Sequence, residues 1–390
     1  MTPLFPRPNN SRDVVVAGGG IIGLSVAWRL VARGWRVSVL DAAAPPAASD
    51  AAAGMLAPSF ERGEGAHPVD GAEALFAFGR RSLAQWADFA REIEDASGLC
   101  VDYQSCGAIG VAVDAVGVAA LDDRAADLTR AGVAFERLDG VSARALEPTL
   151  SQKIIAALRV PSEAQVDASR MRDALRAALR RRGAAIETGA RLVRHQPTND
   201  GVRLDVSFGS GVETRLAARL VIATGAAAVS GAPRPVPVKG EALSLSPFDA
   251  AAPRPRIVVR GRDVYVCPKG DGRVVVGATE IAGADDVAPR PEAIDDLRAR
   301  ATSLCPALEQ YDETARWAGV RPGAPDGSPL IGPDPGAPKS VAFALGHYRN
   351  GVLLAPATAD LIANVLEARP PSSNPFDPAR LVEAAALGGY

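Results

Sequence analysis

Three glycines carry the most specific chemical signal in this chain. Gly18, Gly20 and Gly23 stand at GxGxxG spacing within Gly18-Gly19-Gly20-Ile21-Ile22-Gly23. The first permits a tight turn, the second lets a pyrophosphate approach the backbone, and the third lets a helix pack closely on a strand. Phosphates at such a turn sit on a helix N-terminus, where unpaired N–H groups and the helix dipole favour negative charge. Asp41 follows Gly23 at the distance where a carboxylate accepts a hydrogen bond from a ribose 2′-hydroxyl and disfavours a 2′-phosphate. A second segment, Leu220-Val221-Ile222-Ala223-Thr224-Gly225-Ala226, is an apolar run that ends in small residues. Reactive side chains elsewhere are sparse. The four cysteines, Cys100, Cys106, Cys267 and Cys305, form no CxxC pair, and with His67, His195 and His347 they offer no zinc spacing, so no metal site is expected. His67 and His195 lie in polar, loop-like sequence and carry no specific role.

Elements must hold these residues in place. Residues 13–17 are a β-branched run that reads as a buried strand, 22–32 place apolar residues at helical spacing up to a Gly34 C-cap, and 36–40 read as a second strand. Together they make a βαβ unit, with a parallel strand pair and a right-handed crossover. Long helices are expected over 72–96, with Leu75, Phe76, Phe78, Leu83, Trp86 and Phe89 as the buried stripe, and over 168–182. A tail helix is expected over 357–366. Strands are expected at 189–193, 202–208, 220–224, 257–259, 264–268 and 274–277. A fingerprint turn joined by a distant returning strand at Ala223-Thr224-Gly225 favours FAD over NAD, whose enzymes tend to keep one compact nucleotide domain.

Composition bounds the class. A chain of 390 residues suits two packed domains. With 47% hydrophobic and 23% charged residues it is neither disordered nor fibrous, and a net charge of −2 recruits neither nucleic acid nor an anionic membrane. The 38 glycines and 31 prolines exceed the roughly 12% expected of both together, without any period. Residues 1–12 are proline-rich and lack the apolar run of a signal peptide. The longest charge-free stretch, 14–28, falls short of the roughly 20 apolar residues of a membrane span. A cytoplasmic protein with reduced thiols is the expectation.

Further motifs follow in order: Ala51-Ala52-Ala53-Gly54-Met55-Leu56-Ala57-Pro58, Gln165-Val166-Asp167, Val264-Tyr265-Val266-Cys267-Pro268-Lys269 and Val275-Val276-Gly277-Ala278-Thr279. The series closes with Trp317-Ala318-Gly319-Val320-Arg321-Pro322-Gly323 and with residues 346–356, which include Gly346-His347-Tyr348-Arg349-Asn350-Gly351-Val352. In these the chain resembles the glycine oxidases of the D-amino acid oxidase superfamily, including those that feed thiamine biosynthesis. The resemblance implies an α/β fold: a Rossmann-like FAD-binding domain at about 12–90, 150–230 and 325–375, and a substrate domain with a mixed, largely antiparallel sheet at about 91–149 and 231–324. It implies non-covalent FAD and oxidation of glycine or a small N-substituted glycine by hydride transfer to flavin N5. O2 would be reduced to H2O2, and the imine hydrolysed to glyoxylate and amine or captured by a thiazole synthase partner. A superfamily dehydrogenase with another electron acceptor, an oxidase of a bulkier N-substituted glycine or D-amino acid, and a flavin-binding subunit without turnover are the alternatives. Family members are often homo-oligomers.

The resemblance also distributes roles. Arg321 matches the arginine that binds the substrate carboxylate, where a planar guanidinium fork suits two oxygens at once. Tyr265 matches a tyrosine whose hydroxyl helps hold that carboxylate, and Arg349 a position near flavin and substrate. Cofactor contacts are implied for Gly18, Gly20, Ile21, Ile22, Gly23 and Asp41, for Ala52, Ala53, Gly54 and Met55, and for Val193, Ala223, Thr224 and Gly225. They are also implied for His347, Arg349, Asn350, Gly351 and Val352, where backbone N–H groups would face the flavin edge. His347 reads as a base or as a structural residue beside the cofactor. Cys267 lies away from the segment where related sarcosine oxidases attach flavin covalently. Two departures stand out. Glu280 replaces a methionine that lines the pocket of some glycine oxidases, either facing the substrate or standing at the rim, and Pro161-Ser162-Glu163-Ala164-Gln165 lacks the usual glycines. Gly54 and Gly225 are expected to allow close approach of FAD. Pro58, Pro268, Pro322 and Pro356 are expected at strand ends and turns.

Overall fold

The computed structural model describes residues 12–43, 48–61 and 71–386, so His67 lies outside the described residues. The β-branched run forms the strand Asp13–Ala17, followed by the helix Ile21–Ala32 and the strand Arg36–Asp41. These strands lie at the centre of a six-stranded sheet in the order Leu330–Pro333, Val341–Leu345, Arg219–Ile222, Asp13–Ala17, Arg36–Asp41 and Ala185–Thr188. Only the Leu330–Pro333 edge strand runs antiparallel to its neighbour. Both faces are covered, which is why the central strands are continuous apolar runs rather than alternating ones. Val14 and Val16 point to a core shared with the helices Ile21–Ala32, Ala72–Ser97, Ala168–Arg181 and Gly351–Leu366. Val15 and Ala17 point the other way, against the antiparallel meander Ala190–Thr198, Gly201–Phe208 and Gly211–Ala217.

A second sheet of nine strands is mixed and largely antiparallel. Its spine is the ladder between Val236–Pro247 and Tyr311–Gly323. Beyond Val236–Pro247 follow Val274–Gly277, Tyr265–Pro268, Val258–Arg260, Ala108–Ala112, Ala156–Val160 and Glu136–Asp139, with one parallel pair between Val258–Arg260 and Ala108–Ala112. Residues 156–160, expected with the nucleotide-binding segments, belong here instead, because their ladder partner is Ala108–Ala112.

The tail helix starts at Gly351 rather than at residue 357 and carries Pro356 inside it. Pro58 likewise opens the short helix Pro58–Glu61 rather than ending a strand. A proline in a helix lacks the N–H that would reach back one turn, and its ring crowds the preceding carbonyls. The helix Ala72–Ser97 repairs the damage. Ser82 Oγ and Trp86 Nε1 donate to the Leu353 carbonyl at 2.7 and 2.9 Å, and the Ala357 N–H donates to Ser82 Oγ at 3.3 Å. A hydroxyl is thus spliced into the helical ladder beside the proline, one of the recognised ways a helix absorbs a kink.

Candidate active site

A cavity of about 1120 Å³ runs between the two sheets. At one end lies the glycine turn. Gly18 has φ +125°, its N–H donates to the Leu40 carbonyl at 2.8 Å, and a Cβ there would stand 2.2 Å from the Ala223 carbonyl oxygen. A Cβ on Gly23 would stand 2.0 Å from the Gly18 carbonyl oxygen, so this glycine packs helix on turn and does not line the cavity. Gly19, which the motif leaves unspecified, is constrained as well, since a Cβ would fall 2.1 Å from Asp41 Cγ. Asp41 accepts the Ala43 N–H at 3.0 Å and pairs with Arg176 at 2.5 Å.

Gly20, Ile21, Ile22, Asp41, Ala223, Thr224 and Gly225 all line this end, and Ala52, Ala53, Gly54 and Met55 line the middle. The space a Gly54 side chain would need is taken by the Val166 carbonyl, 1.8 Å from such a Cβ, so that glycine makes room for the chain itself. Val193 is not among the residues that line the cavity. Along Ala190–Thr198 the buried positions are Ala190, Leu192 and His195, and the Val193 side chain is 40% exposed. Ala190, Arg191 and Leu192 line the cavity in its place. His195 on the same strand is buried, not a loop residue, with Nε2 3.7 Å from Asp334.

Over the cavity the second sheet presents one row of paired residues: Trp317, Ala242, Gly277, Tyr265, Arg260 and Gly110, each opposite the next. The neighbouring row holds the facing pair Gly319 and Gly240. Bare backbone is needed here because two large side chains lie flat on it. A Cβ on Gly277 would fall 2.4 Å from the Tyr265 hydroxyl, and one on Gly240 would fall 2.3 Å from Arg321 Nη2. Trp317 Nε1 donates to the Ala51 carbonyl at 3.1 Å and ties this roof to the 51–54 segment.

The charges beneath the roof form a chain. Glu61 Oε1 lies 2.8 Å from Arg260 Nη1 and Glu61 Oε2 lies 2.9 Å from Arg349 Nε. Burial alone would raise the Glu61 carboxyl, but Arg349 and Arg260 outweigh it and hold it at about 2. Arg349 Nη1 lies 3.2 Å from Glu280 Oε2, which places Glu280 on the cavity wall, paired. Arg321 differs. Its Nη1 donates to the carbonyls of Thr279 and Lys239 at 3.1 and 3.4 Å, and no carboxylate among the described residues pairs with it. The Tyr265 phenol is pushed up to about 12 by burial, against the pull of Arg321. Glu61 and Arg260 carry no motif in the sequence. Their role follows only from where the fold puts them.

His347 is buried, its Nε2 3.1 Å from Thr358 Oγ1, and burial pushes its imidazole down to about 3. It lines the cavity together with Arg349, Asn350, Gly351 and Val352, where the helix Gly351–Leu366 begins. Cys267 is fully buried with Sγ 3.3 Å from Gln165 Oε1 and does not line the cavity. Behind the site, Glu163 is fully buried. Its Oε1 accepts the Ser59 N–H at 2.7 Å, its Oε2 has no partner, and burial pushes the carboxyl up to about 8.

A family model described as FAD dependent oxidoreductase matches residues 13–365. The chain belongs to this family. FAD is therefore its cofactor, and the residues present fit it: a glycine turn where a Cβ on Gly18, Gly19 or Gly23 would clash, a helix N-terminus whose Ile21 N–H donates to Ser49 Oγ at 3.0 Å, and Asp41 beside them. The bifunctional protein ThiO/ThiG of Trichormus variabilis is 32% identical over 362 residues, covering 91% of this chain and 53% of that protein. The chain thus spans about half the length of such bifunctional relatives. The glycine oxidase of Pseudomonas aeruginosa is 31% identical over 393 residues, covering 97% of this chain and all of that one. The crystal structure of glycine oxidase from Geobacillus kaustophilus matches with a TM-score of 0.84 at 29% identity, covering 94% of this chain and 97% of that chain. Among the described residues of this family member, no helix is long and apolar enough to cross a membrane, and no group of three His, Cys, Asp or Glu could hold a metal ion.

Proposed function

We propose that the protein oxidises glycine or a small N-substituted glycine such as sarcosine, using non-covalent FAD and O2. The observation that carries this reading is the Arg321 guanidinium, seated on two backbone carbonyls beside Tyr265 and left without a carboxylate partner among the described residues inside the cavity. A cation in that state is matched by a substrate carboxylate, which it can bind through two parallel hydrogen bonds. Tyr265, which keeps its proton, donates a third.

FAD, held by the glycine turn and the 51–54 segment, would supply the two-electron acceptor for the substrate's α-hydride, with O2 as the final acceptor reduced to H2O2. As the hydride leaves, the nitrogen lone pair closes the C=N bond, so the amine must arrive neutral and no protein base is required. His347 fits this, since an imidazole held at about 3 is a poor proton acceptor. Its bond with Thr358 instead steadies the turn that leads into the helix Gly351–Leu366. Water then hydrolyses the imine to glyoxylate and the amine. The ThiO/ThiG relatives support a place in thiamine biosynthesis, where a thiazole synthase would take the imine before water does. In this reading the six-stranded sheet with its covering helices is the FAD-binding domain, and the nine-stranded sheet is the roof over the substrate.

The test is direct. The purified protein should be yellow and should release FAD on acid precipitation. Anaerobic glycine or sarcosine should bleach the flavin, and the same substrates in air should yield peroxide. Failure of every small amino acid to bleach it would refute the oxidase reading.

A further inference from the structure

Among the charged residues that line the cavity, Arg260, Arg349, Glu61 and Glu280 form one chain of ion pairs, and Arg321 lies in the same cavity without a carboxylate partner among the described residues. Glu61 is divided between Arg260 and Arg349 at 2.8 and 2.9 Å, and Glu280 holds Arg349 from its other edge at 3.2 Å. Their side chains are between 6% and 21% exposed, so solvent screens them weakly. Two carboxylates against three guanidiniums leave one positive charge, and the hydrogen bonds locate it on Arg321. The two glutamates are not equivalent. Glu61 pairs with two arginines and its side chain is 13% exposed, whereas Glu280 pairs with one of them, Arg349, and is 21% exposed.

We propose that Glu280 restricts this site to substrates that carry a single carboxylate. The proposal rests on the reading that Arg321 anchors an amino acid carboxylate. One carboxylate on Arg321 brings this cluster of five to neutrality. A second, on the substituent or side chain, would find Arg349 already clasped at both edges and would face Glu280 as a like charge. Repulsion of this kind in a poorly solvated site is how a binding surface rejects a competitor it could otherwise fit. The same count states what removal of Glu280 does: the cavity gains a second uncompensated positive charge, suited to a dicarboxylate.

The experiment uses the FAD-loaded enzyme and two unreactive ligands, acetate and malonate, titrated calorimetrically. Turnover of glycine against iminodiacetate and D-aspartate gives a parallel readout. Wild-type protein should favour acetate over malonate. Glu280→Gln and Glu280→Met should each shift the Kd ratio toward malonate by about tenfold or more, the size of effect that losing one poorly screened like charge produces. Glu280→Asp, which keeps the charge, should keep the wild-type preference. The surface variant Glu136→Gln, at a residue that does not line the cavity, should leave the ratio alone. Ratios within about twofold of wild type in both neutral variants, or a shift of the same size in Glu280→Asp, would overturn the proposal. If glycine fails to bleach the flavin while the acetate–malonate ratio still shifts, the oxidase reading falls and the role of Glu280 stands.

Discussion

Replacing Glu163 with glutamine should make the protein more stable, and increasingly so as pH rises. In the folded chain this carboxyl is buried, with one oxygen bonded to the Ser59 N–H and the other bonded to nothing, and its titration is pushed up from 4.5 to about 8. The sign follows from the proton count. Between those two values the folded state holds a proton that the unfolded state has released, so stability is fully present below about 4.5 and falls as pH rises toward about 8. Each pH unit in that window costs about 1.4 kcal/mol, which integrates to about 3 kcal/mol between roughly pH 5.5 and 8. Glutamine keeps an oxygen for Ser59 and puts an amide N–H where the proton sat, with no ionisation to lose. Urea unfolding of both proteins with saturating FAD, at the two ends of that range, measures the effect. Comparing variant with wild type cancels every other titrating group. The advantage of Glu163→Gln should grow by about 3 kcal/mol on going to the higher pH. An advantage that is the same at both ends would refute the argument.

Arg321→Leu should raise KM for glycine and lower kcat/KM by roughly 30- to 1000-fold, the equivalent of about 2–4 kcal/mol for a charge-assisted bidentate contact. An unchanged KM in the peroxide assay would remove Arg321 from the site. Gly240→Ala would place a methyl group 2.3 Å from Arg321 Nη2, and the flexible guanidinium should move before the sheet does. The variant should retain FAD while kcat/KM falls by about tenfold or more; full activity would mean that the seat on Gly240 is unimportant. Ser82→Ala deprives the Ala357 N–H of its acceptor and the Leu353 carbonyl of one donor, and should cost about 1–3 kcal/mol in equilibrium denaturation.

The nucleotide end of the molecule was legible because its signals are local. Gly18, Gly20, Gly23 and Asp41 lie within one βαβ unit, where spacing alone states the geometry. Ala223 was legible through the apolar strand that leads to it. The roof was only half readable. Its motifs pointed to Tyr265 and Arg321, but nothing local says that Val236–Pro247 and Tyr311–Gly323 are the longest ladder of the sheet or that Gly240 must be bare to seat Arg321. Glu61 closes a four-residue helix, and Arg260 ends a three-residue strand. Each becomes meaningful only through the other, across 199 residues of chain. Other elements were missed although signals existed. Asp114 caps Ala115–Arg130 by accepting the Gly117 N–H, and Pro291 opens Pro291–Leu304 at the first helical position. Pro356 reads as a stop in the sequence, yet the tail helix begins at Gly351 and runs through it. Only the tertiary contact with Ser82 and Trp86 makes that proline tolerable.

The groups gathered around the substrate end share a property that reaches into kinetics. Glu61 is ionised above about 2, His347 is neutral above about 3, and Tyr265 holds its proton up to about 12. None of the three changes state across the range in which enzymes are assayed, so this part of the site is a fixed electrostatic mould. Any sensitivity of turnover to acidity that arises there is inherited from the guest, whose ammonium must shed a proton before its lone pair can push. The enzyme would then behave as a filter for the small deprotonated fraction of its substrate, and amines of lower basicity would enter the reaction more readily for that reason alone.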